Sequence, residues 1–234
     1  MYGPIDWKGS SISEGLPRID NDGGGVLPQN QLLHLLEPLR PCGRGALWTV
    51  YRSRAQVPGV DSDLKIAVKF SSSRTIAASE NTSNPYSWGE ARAAIKRDID
   101  VMMGPLAHLQ SHAVPSVYGI YVSAVRQQKR DEETWAMILS DGGERVDIGR
   151  LQLHERRVIL QHYQAIHDAQ VLHWDCHPRN WLRSIDPRRV FESKLLVTDF
   201  ERSFTRDEVI GMGWNWESAC EEEMQLVRKM LSLQ

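Results

Sequence analysis

Extended-chain signals dominate the first half of this sequence and helix-period signals the second, and that order constrains the fold more than any single residue does. The segment Ala46 to Arg52 carries Leu47, Trp48, Val50 and Tyr51 and reads as a strand. A polar turn at Pro58 to Asp63 leads into Leu64-Lys65-Ile66-Ala67-Val68-Lys69-Phe70, a second strand and the partner of the first in a hairpin. A Ser- and Asn-rich loop is expected from Ser71 to about Pro85. Trp88 to Leu109 shows helical spacing, with Ala91, Ala94, Ile95, Ile99, Met102 and Met103 near one face and an interruption at Gly104-Pro105. Val117 to Val125 and Thr134 to Leu139 read as another strand pair, joined by the charged turn Arg126 to Glu133.

After Asp141-Gly142-Gly143 the pattern changes. Leu151 to Ala169 fits a helix with Leu153, Val158, Ile159, Leu160, Tyr163 and Ile166 as core candidates. Short strands are expected at Trp181-Leu182 and Leu195-Leu196-Val197, and a last helix at about Ser218 to Leu233. In that helix Leu226, Met230 and Leu233 are expected to pack inward, and Glu221-Glu222-Glu223 to form a solvated face. Strands followed by helices indicate an α+β protein with two segregated lobes.

Composition narrows the classes. Hydrophobic residues at 41% and charged residues at 25% over 234 positions are those of an ordinary globular chain. A net charge of −2 gives no electrostatic case for nucleic acid or for an anionic membrane. Cys42, Cys176 and Cys220 are scattered, with no C-x-x-C pair, which suits free thiols in a reducing compartment. No basic start precedes an apolar core, and no apolar run approaches a membrane span, so a cytoplasmic or nuclear protein is expected. Residues 1–28, rich in Gly, Ser, Pro and Asp, read as a tail, disordered or loosely docked through Trp7.

Four local signals carry chemistry. Cys42-Gly43-Arg44-Gly45 ahead of a strand offers backbone N–H groups that a phosphate can approach closely; two glycines in a turn are also simply a turn. Lys69, beside the apolar run Ile66-Ala67-Val68, needs a polar partner for its ammonium: a phosphate, an acidic side chain or, at a sheet edge, solvent. In His173-Trp174-Asp175-Cys176-His177-Pro178-Arg179-Asn180, an Asp and an Asn five residues apart can serve one cleft, the first orienting a hydroxyl and the second ligating a cation. A rival reading of the same stretch is a zinc site from His173, Cys176 and His177, although no matching second pair exists. Finally, Leu195-Leu196-Val197-Thr198-Asp199-Phe200-Glu201 delivers a carboxylate at a strand end, where it either meets magnesium or caps a turn.

In this order the signals resemble the protein-kinase-like superfamily: a Gly-rich loop, a Val-Ala-x-Lys-like strand, an H-x-D-x-x-x-x-N loop and a D-F-x strand end, over roughly residues 37–234. His177 and Glu201 look more like the aminoglycoside-phosphotransferase and choline-kinase relatives, and the hybrid resembles short, divergent fungal protein-kinase-like proteins most closely. The resemblance implies a two-lobed protein-kinase-like fold: an antiparallel-sheet N-lobe over 29–140 and a short, mainly helical C-lobe over 141–234. It implies ATP and Mg2+ as cofactors and a protein or small-molecule hydroxyl as acceptor. Gly43 and Gly45 would cover the phosphates, Lys69 would contact them and pair with a helix carboxylate, Asp175 would be the catalytic carboxylate, and Asn180 and Asp199 would hold magnesium. Leu139 to Asp141 would meet adenine. Glu90 is favoured as the helix carboxylate, with Asp98 as the alternative.

Several positions depart from the family pattern. Trp48 stands where a third glycine is usual, Trp174 where Arg or Gly is usual, and Glu201 where protein kinases have glycine. No A-P-E motif appears, and 35 residues follow Asp199. Three readings therefore stand: an active Mg-ATP phosphotransferase, a pseudokinase that serves as a binding module, and an unrelated α+β protein.

Overall fold

The computed structural model describes residues 34–56, 63–79, 86–127, 130–184 and 194–233; the tail over 1–28 lies outside them. The protein is a mixed α+β chain with a many-stranded antiparallel sheet and several helices. Among the described residues no helix is long and apolar enough to cross a membrane. The chain divides into two compact units, Met1–Arg92 with Val117–Asp141, and Ala93–Ser116 with Gly142–Gln234. Residues 93–116 thus group with the second unit, a segment that a linear division at 140 places in the first.

The first unit is built on one sheet. Its strands are β1 (His34–Leu35), β2 (Arg40–Arg44), β3 (Thr49–Gln56), β4 (Leu64–Ser72), β5 (Val117–Gln127) and β6 (Arg130–Ser140). They pair antiparallel in the order β1-β3-β4-β6-β5, and β2 pairs with the other end of β3. Side chains alternate faces along a strand. Ile66 and Val68 of β4 therefore pack with Ala55, Tyr121, Ala136 and Ile138 in a buried cluster, and Lys69 falls on the opposite face. Leu47 and Trp48, expected inside a strand, precede β3 as turn residues, yet both are buried.

The expected loop after Ser71 is in part helix: α1 spans Ser73–Ser79. Ser72 and Thr75 explain it, because each side-chain oxygen accepts from the other's backbone N–H, at 3.2 and 3.1 Å. Helix α2 (Trp88–Met103) buries Ala91, Ala94, Ile95, Ile99 and Met102, and a short 3-10 turn, Ala107–Leu109, follows Gly104-Pro105.

The second unit holds the remaining elements: β7 (Glu144–Arg145), α3 (Leu153–Asp168), β8 (Val171–Leu172), β9 (Trp181–Arg183), β10 (Leu195–Val197), β11 (Phe204–Thr205), α4 (Arg206–Gly211) and α5 (Trp216–Met230). Strands β10, β9 and β7 form one small antiparallel sheet, and β11 pairs with β8. Ile159, Tyr163 and Ile166 of α3 are buried as the spacing predicts, whereas Leu153, at the first turn, is exposed. Gly143 is required where it stands: its φ is +86°, and a Cβ there would lie 1.9 Å from the Arg183 carbonyl oxygen.

Candidate functional site

The β9–β10 ladder brings the second unit's chemistry together. Its register pairs Val197 with Trp181, so Asn180, just before β9, and Thr198, just after β10, become neighbours. The Thr198 N–H donates to the Asn180 carbonyl at 3.0 Å. Asp199 follows directly, and its φ of +78° is left-handed. Trp174 is also left-handed, at +63°. Non-glycine residues in this region cost of order 1–3 kcal/mol each and cluster at functional sites. Here two of them fall in the two carboxylate-bearing loops singled out from the sequence.

His173 ties those loops together. Fully buried, it accepts at Nδ1 from the Asp175 N–H (3.2 Å), while Nε2 bonds the Thr198 carbonyl (3.1 Å). Since a carbonyl can only accept, these partners select the Nε2–H tautomer. The ring also packs on Phe200, with centroids 4.8 Å apart, and on Tyr163 at 5.6 Å.

Asp175 is held by its own loop. Arg179 NH2 donates to both carboxylate oxygens at 2.9 Å, and Asn180 Nδ2 donates to Oδ2 at 3.1 Å and to the Asp175 carbonyl at 2.9 Å. Partial burial opposes ionisation of Asp175, but the hydrogen bonds from Arg179 and Asn180 outweigh it and hold the carboxyl below its ordinary pKa. With Nδ2 of the buried Asn180 turned to Asp175, Oδ1 is the atom left to accept.

Beneath the loop lies one member of the acidic run Glu221-Glu222-Glu223, expected as a solvated face. Glu221 and Glu222 are exposed as expected, but Glu223 is buried. Its carboxylate accepts from the His173 N–H (3.2 Å), the Trp174 N–H (2.6 Å) and His167 Nε2 (2.7 Å). Burial raises its pKa, and the His167 hydrogen bond, neighbouring imidazoles and the Trp174 N–H more than offset this, so the group sits below the usual carboxylate range. The spacing Ala219-Glu223-Val227 is the signal that could have found it, since all three share the inward face of α5. Leu226, expected inward, is exposed.

The zinc reading finds no support here. Among the described residues no group of three or more His, Cys, Asp or Glu side chains is arranged to hold a metal. Burial and the nearby Glu223 charge push the Cys176 thiol far above its ordinary value. His177 Nδ1 instead accepts from the Arg179 N–H at 3.2 Å, capping the short turn Pro178–Asn180.

In the first unit, Lys69 is buried and its ammonium lies 5.7 Å from the centroid of the buried Trp48 ring. Gly43 lies in β2 opposite Val50, and Gly45 opens the β2–β3 turn, which its N–H closes on the Trp48 carbonyl at 2.8 Å. Neither glycine has a positive φ, and an added Cβ would meet nothing nearer than 3.7 Å. The turn itself therefore does not demand glycine at either position. Leu139 is buried in the β4–β6 ladder; Asp141 donates its N–H to the Lys65 carbonyl (3.0 Å) and pairs with Arg52 Nε at 3.1 Å.

The candidate helix carboxylates differ in setting. Exposed Glu90 caps its own helix, accepting from the Ser87 N–H at 2.8 Å and the Ser87 hydroxyl at 2.7 Å. Asp98 is 1% exposed and accepts from the Phe200 N–H.

Compared with protein-family models and with curated proteins, the sequence matches none. The functional reading therefore rests on the residues and their geometry.

Proposed function

We propose that this chain is an ATP- and magnesium-dependent phosphotransferase of protein-kinase-like type, passing the γ-phosphoryl group to a hydroxyl. The observation that carries the reading is the joining of two loops in the second unit. Asp175, Asn180 and the Thr198–Asp199 turn are cross-linked through His173 and the β9–β10 ladder, and both carboxylate-bearing loops contain left-handed residues. Phosphoryl transfer asks for positioning and charge neutralisation more than for covalent help, and such a scaffold supplies positioning.

Asp175, kept ionised by Arg179 and Asn180, orients the acceptor hydroxyl and takes up its proton as the bond to phosphorus forms. The hydroxyl oxygen gains the γ-phosphorus, the β–γ bridging bond breaks, and ADP leaves. The donor set fits magnesium: Asn180 Oδ1 and the Asp199 carboxylate are hard oxygens, and an ion with few protein ligands completes its shell with phosphate and water. When bound, that ion supplies neutralisation of developing phosphate charge. Within the first unit, Lys69 is a buried lysine beside the Trp48 ring, and Gly43 and Gly45 leave their backbone unshielded by side chains.

A second reading has its own observation. The Arg179 guanidinium contacts both oxygens of Asp175, an arrangement equally suited to a module that binds nucleotide without turning it over. Transfer of labelled γ-phosphate, measured beside the Mg-ATP-induced rise in melting temperature, separates the two. A thermal rise with no transfer by the wild-type chain selects the binding module.

A further inference from the structure

We infer that Ser71 is a further phosphate-binding side chain, its hydroxyl donating to an oxygen of the nucleotide's phosphate chain; this rests on the phosphotransferase reading and deepens it. Ser71 is 1% exposed, and among the described residues its Oγ is the one buried side-chain nitrogen or oxygen without a hydrogen-bond partner. Native interiors hold few such groups, because a buried hydroxyl with no partner is destabilising. The surrounding structure gives it no other task. Ser71 opens the run Ser71-Ser72-Ser73. Ser72 Oγ accepts from the Thr75 N–H and Ser73 Oγ from the Glu133 N–H, each at 3.2 Å, so both neighbours serve the start of α1 and its junction with β6. The cross-strand partner of Ser71 is Trp135, whose Nε1 donates to Glu133 at 2.8 Å instead.

Placement on the sheet defines the chemistry of the partner. Alternation along β4 sets Ser71 on the same face as Lys69, while Phe70 between them packs against the buried cluster of the other face. Trp48 belongs to the Lys69 face as well: it precedes Thr49, the register partner of Phe70, and its ring centroid lies 5.7 Å from the Lys69 ammonium. All three side chains are buried. Residues two apart on a strand are ~7 Å apart, a span that a single group with several acceptor oxygens can bridge. A buried ammonium favours an anion over a neutral acceptor, and charge-assisted bonds are strongest where water is excluded. Phosphate meets both conditions, with one oxygen turned to the ammonium and another to the hydroxyl.

The test is calorimetric titration of the full chain with ADP, ATP and inorganic phosphate in the presence of magnesium, for the wild type, Ser71→Ala and Ser72→Ala, beside the melting temperature of each without nucleotide. Ser71→Ala is expected to weaken nucleotide binding about tenfold. Its nucleotide-free melting temperature is expected to hold or rise, since the substitution removes an unpaired polar atom. Ser72→Ala is expected to do the reverse, lowering the melting temperature by stranding the Thr75 N–H and leaving affinity unchanged. Nucleotide binding and transfer that are indifferent to Ser71→Ala sink this inference and leave the phosphotransferase reading intact. An equal loss of affinity in Ser72→Ala also overturns it, because the effect then belongs to the strand and not to the hydroxyl. Ser71-dependent binding of inorganic phosphate with no nucleotide binding by the wild type sinks the nucleotide assignment together with that reading.

Discussion

The Oδ1 of Asp98 accepts a 3.2 Å hydrogen bond from the backbone N–H of Phe200, 102 positions along the chain. The carboxylate is buried, and the N–H belongs to the residue after left-handed Asp199. Helix α2 thereby pins the turn that presents Asp199. Removing the acceptor with Asp98→Ala leaves a buried N–H unpaired, a loss of about 1–3 kcal/mol in urea denaturation. Asp98→Asn keeps an acceptor and should recover much of that stability. Phosphate transfer is expected to fall in both variants.

Glu90 gives the contrasting result. Its carboxylate is engaged at the N-terminus of its own helix. Glu90→Ala is expected to lower helix stability slightly and to change phosphate transfer far less than Asp98→Asn does. Equal losses from the two variants would return Glu90 to the site.

Glycine substitutions separate turn geometry from ligand approach. Gly143→Ala forces a Cβ into the Arg183 carbonyl at a positive φ and should prevent stable folding. Gly45→Ala meets only ordinary contacts, so its melting temperature should hold while the shift induced by Mg-ATP shrinks.

Glu223 accepts from two backbone N–H groups and one imidazole at the base of the loop that carries Asp175. Glu223→Ala strands all three donors in a buried place, and the combined loss should reach about 3 kcal/mol or more by denaturant titration. Glu223→Gln preserves an acceptor and should be milder.

His162 sets a pH dependence. Burial depresses its pKa to about 4, and its Nε2 bonds the Leu195 carbonyl at 3.0 Å. The unfolded chain takes up this proton near pH 6.5 and the folded chain only near pH 4, so stability falls as pH drops between those values. The full effect is roughly 3 kcal/mol. His162→Asn should flatten the stability profile in that window, whereas Glu223 and Asp175, whose pKa values are lowered, act at more acid pH.

What could be read from the sequence was what neighbours in the chain decide. The pairing of Asp175 with Asn180 is a short-range matter, and so is the strand alternation that sets Lys69 opposite Ile66 and Val68. Arg179 was within reach, four residues beyond Asp175, but the magnesium pattern drew the reading to Asn180. Glu223 was hidden because three successive acidic residues look solvated unless each is assigned to a helix face. The Asp98–Phe200 bond was not legible at all, since no local pattern specifies a partner 102 positions away. The sequence favours Glu90 over Asp98 as the helix carboxylate, and the difference in burial between the two is not legible there.

The most direct test is transfer of labelled γ-phosphate from Mg-ATP to an acceptor panel by the wild-type chain, Asp175→Ala and Asp199→Ala. The account predicts magnesium-dependent transfer by the wild type and a loss of about a hundredfold or more in each variant. Transfer at the wild-type rate by both variants, or none by the wild type with any acceptor, would contradict it.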